Sequence, residues 1–422
     1  MPTPVLHATQ GSPAILGGEP VRKTPYPEWP DPKPWMLDAL KEVWASREWG
    51  VGAPIIDTFE EKWAEYVGVR YSGSCVNGTE AITVALRAVG VKQGDEVLTS
   101  PYTFIGTITP IMSMGAVPKF VDISESDYLM DLDKLEAAIT ERTRAIIPVH
   151  IAGCMVDMER VCAIAEKHNL KVIEDCAQAP GAEWKGRKAG AWGHAGTFSF
   201  QTSKNMSSGE GGSVTTDDPE IADGVFAAKN CGRTREGVWY GHSRFGSNLR
   251  LSAWQAALLL GQIDTLDEEN SLRHKNALYL ESILRGIEGV EAIAVDVEGV
   301  TRHAHHLVLF RYDSSKFEGL TRDQFTKAAQ AEGIPVGNGY VPIYTQGCVR
   351  EYASWPFIAP LLKARGIDYS KVSCPVTERV SRHEGFWTHM NVLMGGASEL
   401  DSFAEAFRKI QHHAGDLKRR IE

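Results

Sequence analysis

Between about residues 55 and 230 the chain alternates short apolar runs with longer segments whose apolar positions recur at helical spacing. Residues 96–100, 118–121, 145–149, 172–174 and 196–200 read as strands, while 80–89, 107–114, 132–139 and 158–168 read as helices. Near-continuous apolar strands separated by amphipathic helices predict a largely parallel sheet covered on both faces. An α/β sheet of this kind binds ligands beyond the C-terminal ends of its strands, so chemistry is sought there. After an amphipathic stretch at 252–263 and a charged helix at 264–284 the texture changes. Strand-like 306–311 and helical 322–332 predict a smaller α+β domain. The expected division is an arm over 1–50, a large domain over 51–265 and a small C-terminal domain over 266–422. The arm is rich in proline (Pro20, Pro25, Pro27, Pro30, Pro32, Pro34), which suits an extended segment lying over the body or over a neighbouring subunit.

Two of the expected strands deliver reactive groups. Asp175 ends the run 171–174, and Lys204 follows the run 196–200. The pair alone could be a strand-end ion pair. It also suits pyridoxal 5'-phosphate, which needs an amine to hold its aldehyde as a Schiff base and a carboxylate to keep its ring nitrogen protonated. Other parts of such a site can be sought in the same region. Gly78 and Thr79 precede a helical pattern, where free N–H groups and the helix dipole favour a phosphate, although an ordinary turn with an N-cap reads the same way. Phe104 follows a strand and could stack on a pyridine face or pack in the core. Ser199 lies on the strand that leads to Lys204 and could donate to the phosphate. The glycines of 208–212 allow a tight turn beside it.

Composition narrows the alternatives. The chain has 422 residues, 43% hydrophobic and 23% charged, with a formal net charge of −10. Those values fit a globular protein and argue against a nucleic-acid-binding surface, which needs clustered lysine and arginine. The first residues show no signal-peptide pattern, and no apolar run approaches the roughly 20 residues that span a bilayer, so a cytoplasmic protein without membrane partners is expected. Seven scattered cysteines with no C-x-x-C spacing indicate neither a disulfide framework nor zinc. His303, His305 and His306 would be divided between the two faces of a strand, with no carboxylate cluster beside them, so no metal is expected.

The blocks NGTEA, SPYTFIGT, PVHIAG, EDCAQAPGA, FSFQTSKNMSSGEGG and GSNLRLSAWQAA, in this order, resemble the DegT/StrS-type sugar aminotransferases among the fold-type I pyridoxal phosphate enzymes. The resemblance runs from about Gly18 to the C-terminus. It implies the aspartate-aminotransferase fold and a homodimer whose active sites lie at the subunit interface. It further implies that Lys204 carries the cofactor, Asp175 pairs with the pyridinium nitrogen and Phe104 stacks on the ring. Gln178 would contact the ring-hydroxyl side, and Gly78, Thr79 and Ser199 would bind phosphate, with Asn248 reaching it from the partner subunit. Dehydratases of the family replace the lysine with histidine; retention of Lys204 favours transamination from glutamate or glutamine. The acceptor would be a keto-cyclitol or a keto-sugar, free or nucleotide-linked. The motifs lie closest to the cyclitol branch, which holds glutamine:scyllo-inosose aminotransferases and 3-amino-5-hydroxybenzoate synthases. Candidate substrate contacts are His150, Gln201, Tyr344 and His389, with Arg233 and Arg250 either for a donor carboxylate or holding the dimer interface. Two other readings stay open: an aromatising lyase using the same lysine, and a non-catalytic ligand sensor on this fold.

Overall fold

The computed structural model describes residues 11–421; the first ten residues of the expected arm lie outside that range. The central sheet is built from β1 Tyr71–Cys75, β2 Glu96–Thr99, β3 Val117–Phe120, β4 Thr143–Ile147, β5 Lys171–Asp175, β6 Ala195–Ser199 and β7 Gly212–Thr216. Its spatial order is β1-β7-β6-β5-β4-β2-β3. The neighbours β2–β3, β2–β4, β4–β5 and β5–β6 run parallel, and β7 runs antiparallel between β1 and β6. Val97, Leu98, Ile146, Ile147, Val172 and Ile173 are all buried, as expected for strands covered on both faces. This is the fold-type I arrangement, and it sets the ends of β5 and β6 side by side.

Several elements differ from the sequence-based expectation for local reasons. The helix expected at 80–89 starts earlier, at Gly78, because Asn77 caps it: its Oδ1 accepts the Glu80 N–H at 2.8 Å. The helix expected over 132–139 stops at Leu135 and continues only as the 3₁₀ turn Glu136–Ala138, after which Ile139 turns extended. Strands β1 and β7 carry serine, threonine and glycine instead of an apolar run, so the pattern does not announce them. They hold together by their ladder, in register from Tyr71 with Thr216 to Cys75 with Gly212.

A second, antiparallel sheet of four strands follows: β8 Val290–Ile293, β9 Leu307–Tyr312, β10 Val336–Asn338 and β11 Gly385–His389, in the order β8-β9-β11-β10. An aromatic core backs it, with Phe310 and Phe386 stacked at 4.7 Å and Phe325 tilted against Phe407 at 5.1 Å. The long helix Ile263–Leu284 joins the two sheets. Its first turn (Ile263, Leu266) packs in the large core, and its last turns (Ala277, Leu280, Ile283, Leu284) pack in the small one. No described helix is long and apolar enough to cross a membrane.

The arm lies over the chain's own small domain. The fully buried carboxylate of Glu332 accepts the N–H groups of Ala14 (2.8 Å) and Val21 (3.0 Å) and pairs with Lys409 at 2.9 Å. Lys409 also donates to the Glu19 carbonyl at 2.7 Å. Arg22 bridges to Glu399 at 2.8 Å and covers the Tyr26 ring, which itself enters the small core. Removing one member of a buried ion pair strands the other. Lys409→Met should therefore cost about 3 kcal/mol in urea denaturation and expose the arm to limited proteolysis; full stability with a protected arm would contradict the clasp.

Candidate active site

β5 places its last residue, Asp175, at the crevice, where only 5% of its surface is exposed. Its Oδ2 accepts the Thr107 hydroxyl at 2.7 Å and its Oδ1 accepts the Ala177 N–H at 3.1 Å. Thr107 pairs in turn with Thr103 at 2.8 Å, so the orientation of the carboxylate is fixed by a short chain of hydroxyls. β6 ends at Ser199, and a tight turn then presents Lys204, whose N–H bonds the Gln201 carbonyl at 2.8 Å. The Lys204 side chain is half-buried, and its amine has no hydrogen bond or ion pair among the described residues. Burial pulls that amine down to about 8, against the opposing pull of the Asp175 carboxylate. An unpartnered, partly desolvated lysine facing a fixed carboxylate is chemically costly and suited to a nucleophile or proton carrier.

Two histidines border the lysine. His306 is buried, and its Nδ1 lies 3.0 Å from Asn205 Oδ1, while Asn205 Nδ2 donates to the Ala304 carbonyl at 2.7 Å. That network assigns the proton of His306 to Nδ1. Burial, then the Lys204 charge, lowers the pKa of both His306 and His389. His306 and His389 stand edge to face at 6.3 Å. His303 and His305 turn elsewhere: their rings stack on each other at 3.6 Å in an irregular segment ahead of β9, and His305 Nε2 meets His274 Nδ1 at 2.9 Å.

The proposed cradle converges on the same crevice. A Cβ on Gly78 would come 2.5 Å from Ser199 Cβ, and one on Gly212 would run into the Asn77 carbonyl, so glycine at both positions lets three segments meet. Beside them, Thr79 Oγ1 and the Phe104 ring both border Gly106. Phe104 is 58% exposed, an aromatic ring left open instead of packed in the core. Gln178 sits deeper, with Oε1 accepting the Ala152 N–H at 2.6 Å and Nε2 donating to Tyr340 at 2.8 Å. Nearby Asp175 and, first, burial raise Tyr340 to about 12.

Two of the substrate candidates are taken up by internal partners, and a third has part of its side chain engaged in the lysine turn. His150 has no exposed surface; its Nδ1 accepts the Val156 N–H at 3.2 Å and its Nε2 contacts Glu174 at 3.1 Å, which leaves no ring nitrogen for a substrate. Tyr344 is buried, with its hydroxyl bonded to Glu378 at 2.6 Å and to the Cys374 N–H at 3.1 Å. Gln201 spends its Oε1 on the N–H and hydroxyl of Ser203, both at 2.8 Å, and so braces the lysine turn. His150, Glu174 and Cys176 come within metal-binding distance of one another. The Glu174 carboxylate, however, already accepts the N–H groups of Gly190, Trp192 and Gly193, and burial holds the Cys176 thiol protonated.

Arg233 and Arg250 lie on one loop and both donate to the side-chain amide oxygen of Asn230, Oδ1, at 3.5 and 3.0 Å. Asn248, on the returning limb of that loop, pairs with Asn230 through the backbone and is exposed. Four groups at the site escaped the sequence reading. Thr107 and Tyr340 carry no local signal, His306 stands in sequence as one of a histidine cluster, and Trp29, whose indole donates to the Lys204 carbonyl at 3.1 Å, comes from the distant arm.

Comparison with known proteins agrees with this architecture. A protein of Streptoalloteichus tenebrarius, provisionally named L-glutamine:3-amino-2,3-dideoxy-scyllo-inosose aminotransferase, is 38% identical over 413 residues, covering 96% of this chain and 99% of that one. The L-glutamine:2-deoxy-scyllo-inosose aminotransferase of Streptomyces fradiae is 36% identical over 426 residues, covering 96% and 98%. The crystal structure of a 3-amino-5-hydroxybenzoic acid synthase superposes with a TM-score of 0.80 at 30% identity, covering 92% of this chain and 99% of that one. Residues 33–384 match the family description as well, and the chain belongs to the DegT/DnrJ/EryC1/StrS aminotransferase family.

Proposed function

We propose that this aminotransferase uses pyridoxal 5'-phosphate to move the amino group of L-glutamine, or of L-glutamate, to a keto group on a cyclitol. The observation that carries the reading is the convergence of Lys204, its amine unpartnered, with the hydrogen-bonded carboxylate of Asp175. The residues fit the cofactor. Gly78, Thr79 and Ser199 would hold the phosphate at the capped helix start, Phe104 would cover one ring face, and Asp175 would face the ring nitrogen. When bound, the cofactor supplies an aldehyde for an amine and an electron sink for the pair left at the donor Cα.

The protein's own contributions follow from the geometry. The Asp175 carboxylate would stand at the ring nitrogen and favour its protonated form, and Thr107 and Ala177 keep that carboxylate aimed. Lys204 Nζ, with a depressed pKa, is available in neutral form to take the Cα proton of the donor and return it at the acceptor carbon. His389, exposed at the crevice and with no side-chain hydrogen bond among the described residues, offers a polar edge to the acceptor's hydroxyls. The names of the relatives, glutamine:scyllo-inosose aminotransferases, support a cyclitol over a nucleotide-linked keto-sugar.

A homodimer with shared sites is part of the proposal. Val238, Trp239, Tyr240 and Phe245 are 79%, 55%, 84% and 82% exposed, on the loop that carries Arg233 and Asn248. Such a patch suits an interface with a second copy, across which Asn248 would reach the partner's phosphate.

The decisive assay combines keto-cyclitols and nucleotide-linked keto-sugars with glutamine and glutamate as donors. Amination of a keto-cyclitol with matching loss of glutamine is expected. Turnover of keto-sugar nucleotides alone would overturn the acceptor, and an aromatic product without donor consumption would point to the synthase reaction of the structural neighbour. Asp175→Asn keeps the shape and removes the charge; kcat/KM should fall by about 10²–10³ with an unchanged melting temperature. Mixing Lys204→Ala subunits with Asn248→Asp subunits should restore up to about a quarter of wild-type activity, because each mixed dimer keeps one intact site. No recovery in subunits shown to exchange would refute a shared site.

A further inference from the structure

The segment carrying Lys204 is tied down from several directions. Gln262 clamps Ser207, accepting its N–H at 2.9 Å and donating to its carbonyl at 2.8 Å. Asn205 is held by Ala304, at 2.7 Å. The carbonyl of Lys204 itself is taken by the indole N–H of Trp29. Trp29 is part of the arm, and the residues just before it are anchored in the small domain: Asn391 Nδ2 bonds the Pro27 carbonyl at 2.8 Å, and Tyr26 is packed against Phe403 at 5.8 Å. The arm thus forms a strap with one end in the small core and the other on the peptide of the lysine.

What surrounds the strap makes that hydrogen bond matter. Trp29 and Gln262, two of the side chains that hold the turn, both line a cavity of about 740 Å³ together with Trp35, Pro30 and Met394. Open space, in place of packed side chains, adjoins the supports of the turn, so directional bonds carry more of the load there. A change in the peptide plane at Lys204 is transmitted along the side chain to Nζ, where a small displacement alters reach and desolvation alike.

We propose that Trp29 is a positioning residue for the transamination: its indole N–H fixes the Lys204 peptide, aims the amine into the crevice, and couples it to the small domain through the arm. The proposal rests on Lys204 being the reactive amine. The charged and titratable groups that act on that amine are Asp175, which attracts it, and His306 and His389, whose protonation it opposes.

Trp29→Phe keeps an aromatic ring and removes the donor. The first readout needs no cofactor: pH-dependent acylation of Lys204 in the apoprotein, followed by mass spectrometry. In the wild type the neutral amine should accumulate as the pH rises through about 8. In Trp29→Phe the midpoint should move upward, because a freed amine gains water and its charged form is favoured. In the holoenzyme kcat should fall about tenfold while KM for glutamine stays within about twofold. Trp35→Phe, which alters the same cavity without touching Lys204, should leave both readouts unchanged. Asn391→Ala, which loosens the other end of the strap, should shift the midpoint the same way but less, and it decides the matter if Trp29→Phe does not fold. An unchanged midpoint and kcat in Trp29→Phe, or equal shifts in Trp35→Phe, would overturn the proposal. Failure of the wild type to take up pyridoxal 5'-phosphate would instead strike the role of Lys204, and the acylation comparison would still report on Trp29.

Discussion

Glu174 has no exposed surface, and its charge is met by the N–H groups of Gly190, Trp192 and Gly193 at 2.8–3.0 Å and by the ring of His150. His150 accepts the Val156 N–H at Nδ1, which places its own proton on Nε2, directed at Glu174. A buried carboxylate is tolerable only when so fully hydrogen-bonded, and here the bonds bind the loop before β6 to the end of β5. Successive residues of a strand point to opposite faces, so anchoring Glu174 behind the sheet leaves Asp175 directed at the crevice. The direction of the Asp175 carboxylate thus depends on the buried Glu174 beside it. With β5 and β6 fixed relative to each other, the turn that carries Lys204 starts from a defined place.

Around that frame the site is assembled by close approach. The helix start at Gly78, the end of β6 at Ser199 and the beginning of β7 at Gly212 come so near that side chains on the two glycines would collide with their neighbours. Beside the same helix start, Thr79 Oγ1 and the Phe104 ring meet at Gly106. Polar side chains nearby serve two ends. Thr107 and Gln201 brace the acid and the lysine turn, whereas His389 and Phe104 remain exposed.

The sequence made the parallel strands and the acid–lysine pair legible because each had a local signature: an apolar run, and a reactive residue at its end. Strands β1 and β7 lack one, since their small polar residues are buried by ladder pairing with neighbouring strands, β1 with β7 and β7 with β6, instead of by an apolar run of their own. His150 and Tyr344 were plausible ligands as polar residues in motif-bearing segments, yet both are satisfied internally, by Glu174 and by Glu378. Tyr340 and Trp29 show the opposite failure. Each reaches the crevice by a hydrogen bond across a long stretch of chain, Tyr340 with Gln178 and Trp29 with Lys204, and nothing in its neighbouring residues signals the meeting.

The helix Ile263–Leu284 belongs to two cores at once, its first turn to the large one and its last turns to the small one. A rod embedded at both ends makes poor ground for recombination. Exchange of small domains between relatives at residue 265 would leave each half of the helix facing a core it did not evolve with. Productive crossover points lie in the connections flanking the helix, so exchanging small domains within the family means moving the helix whole.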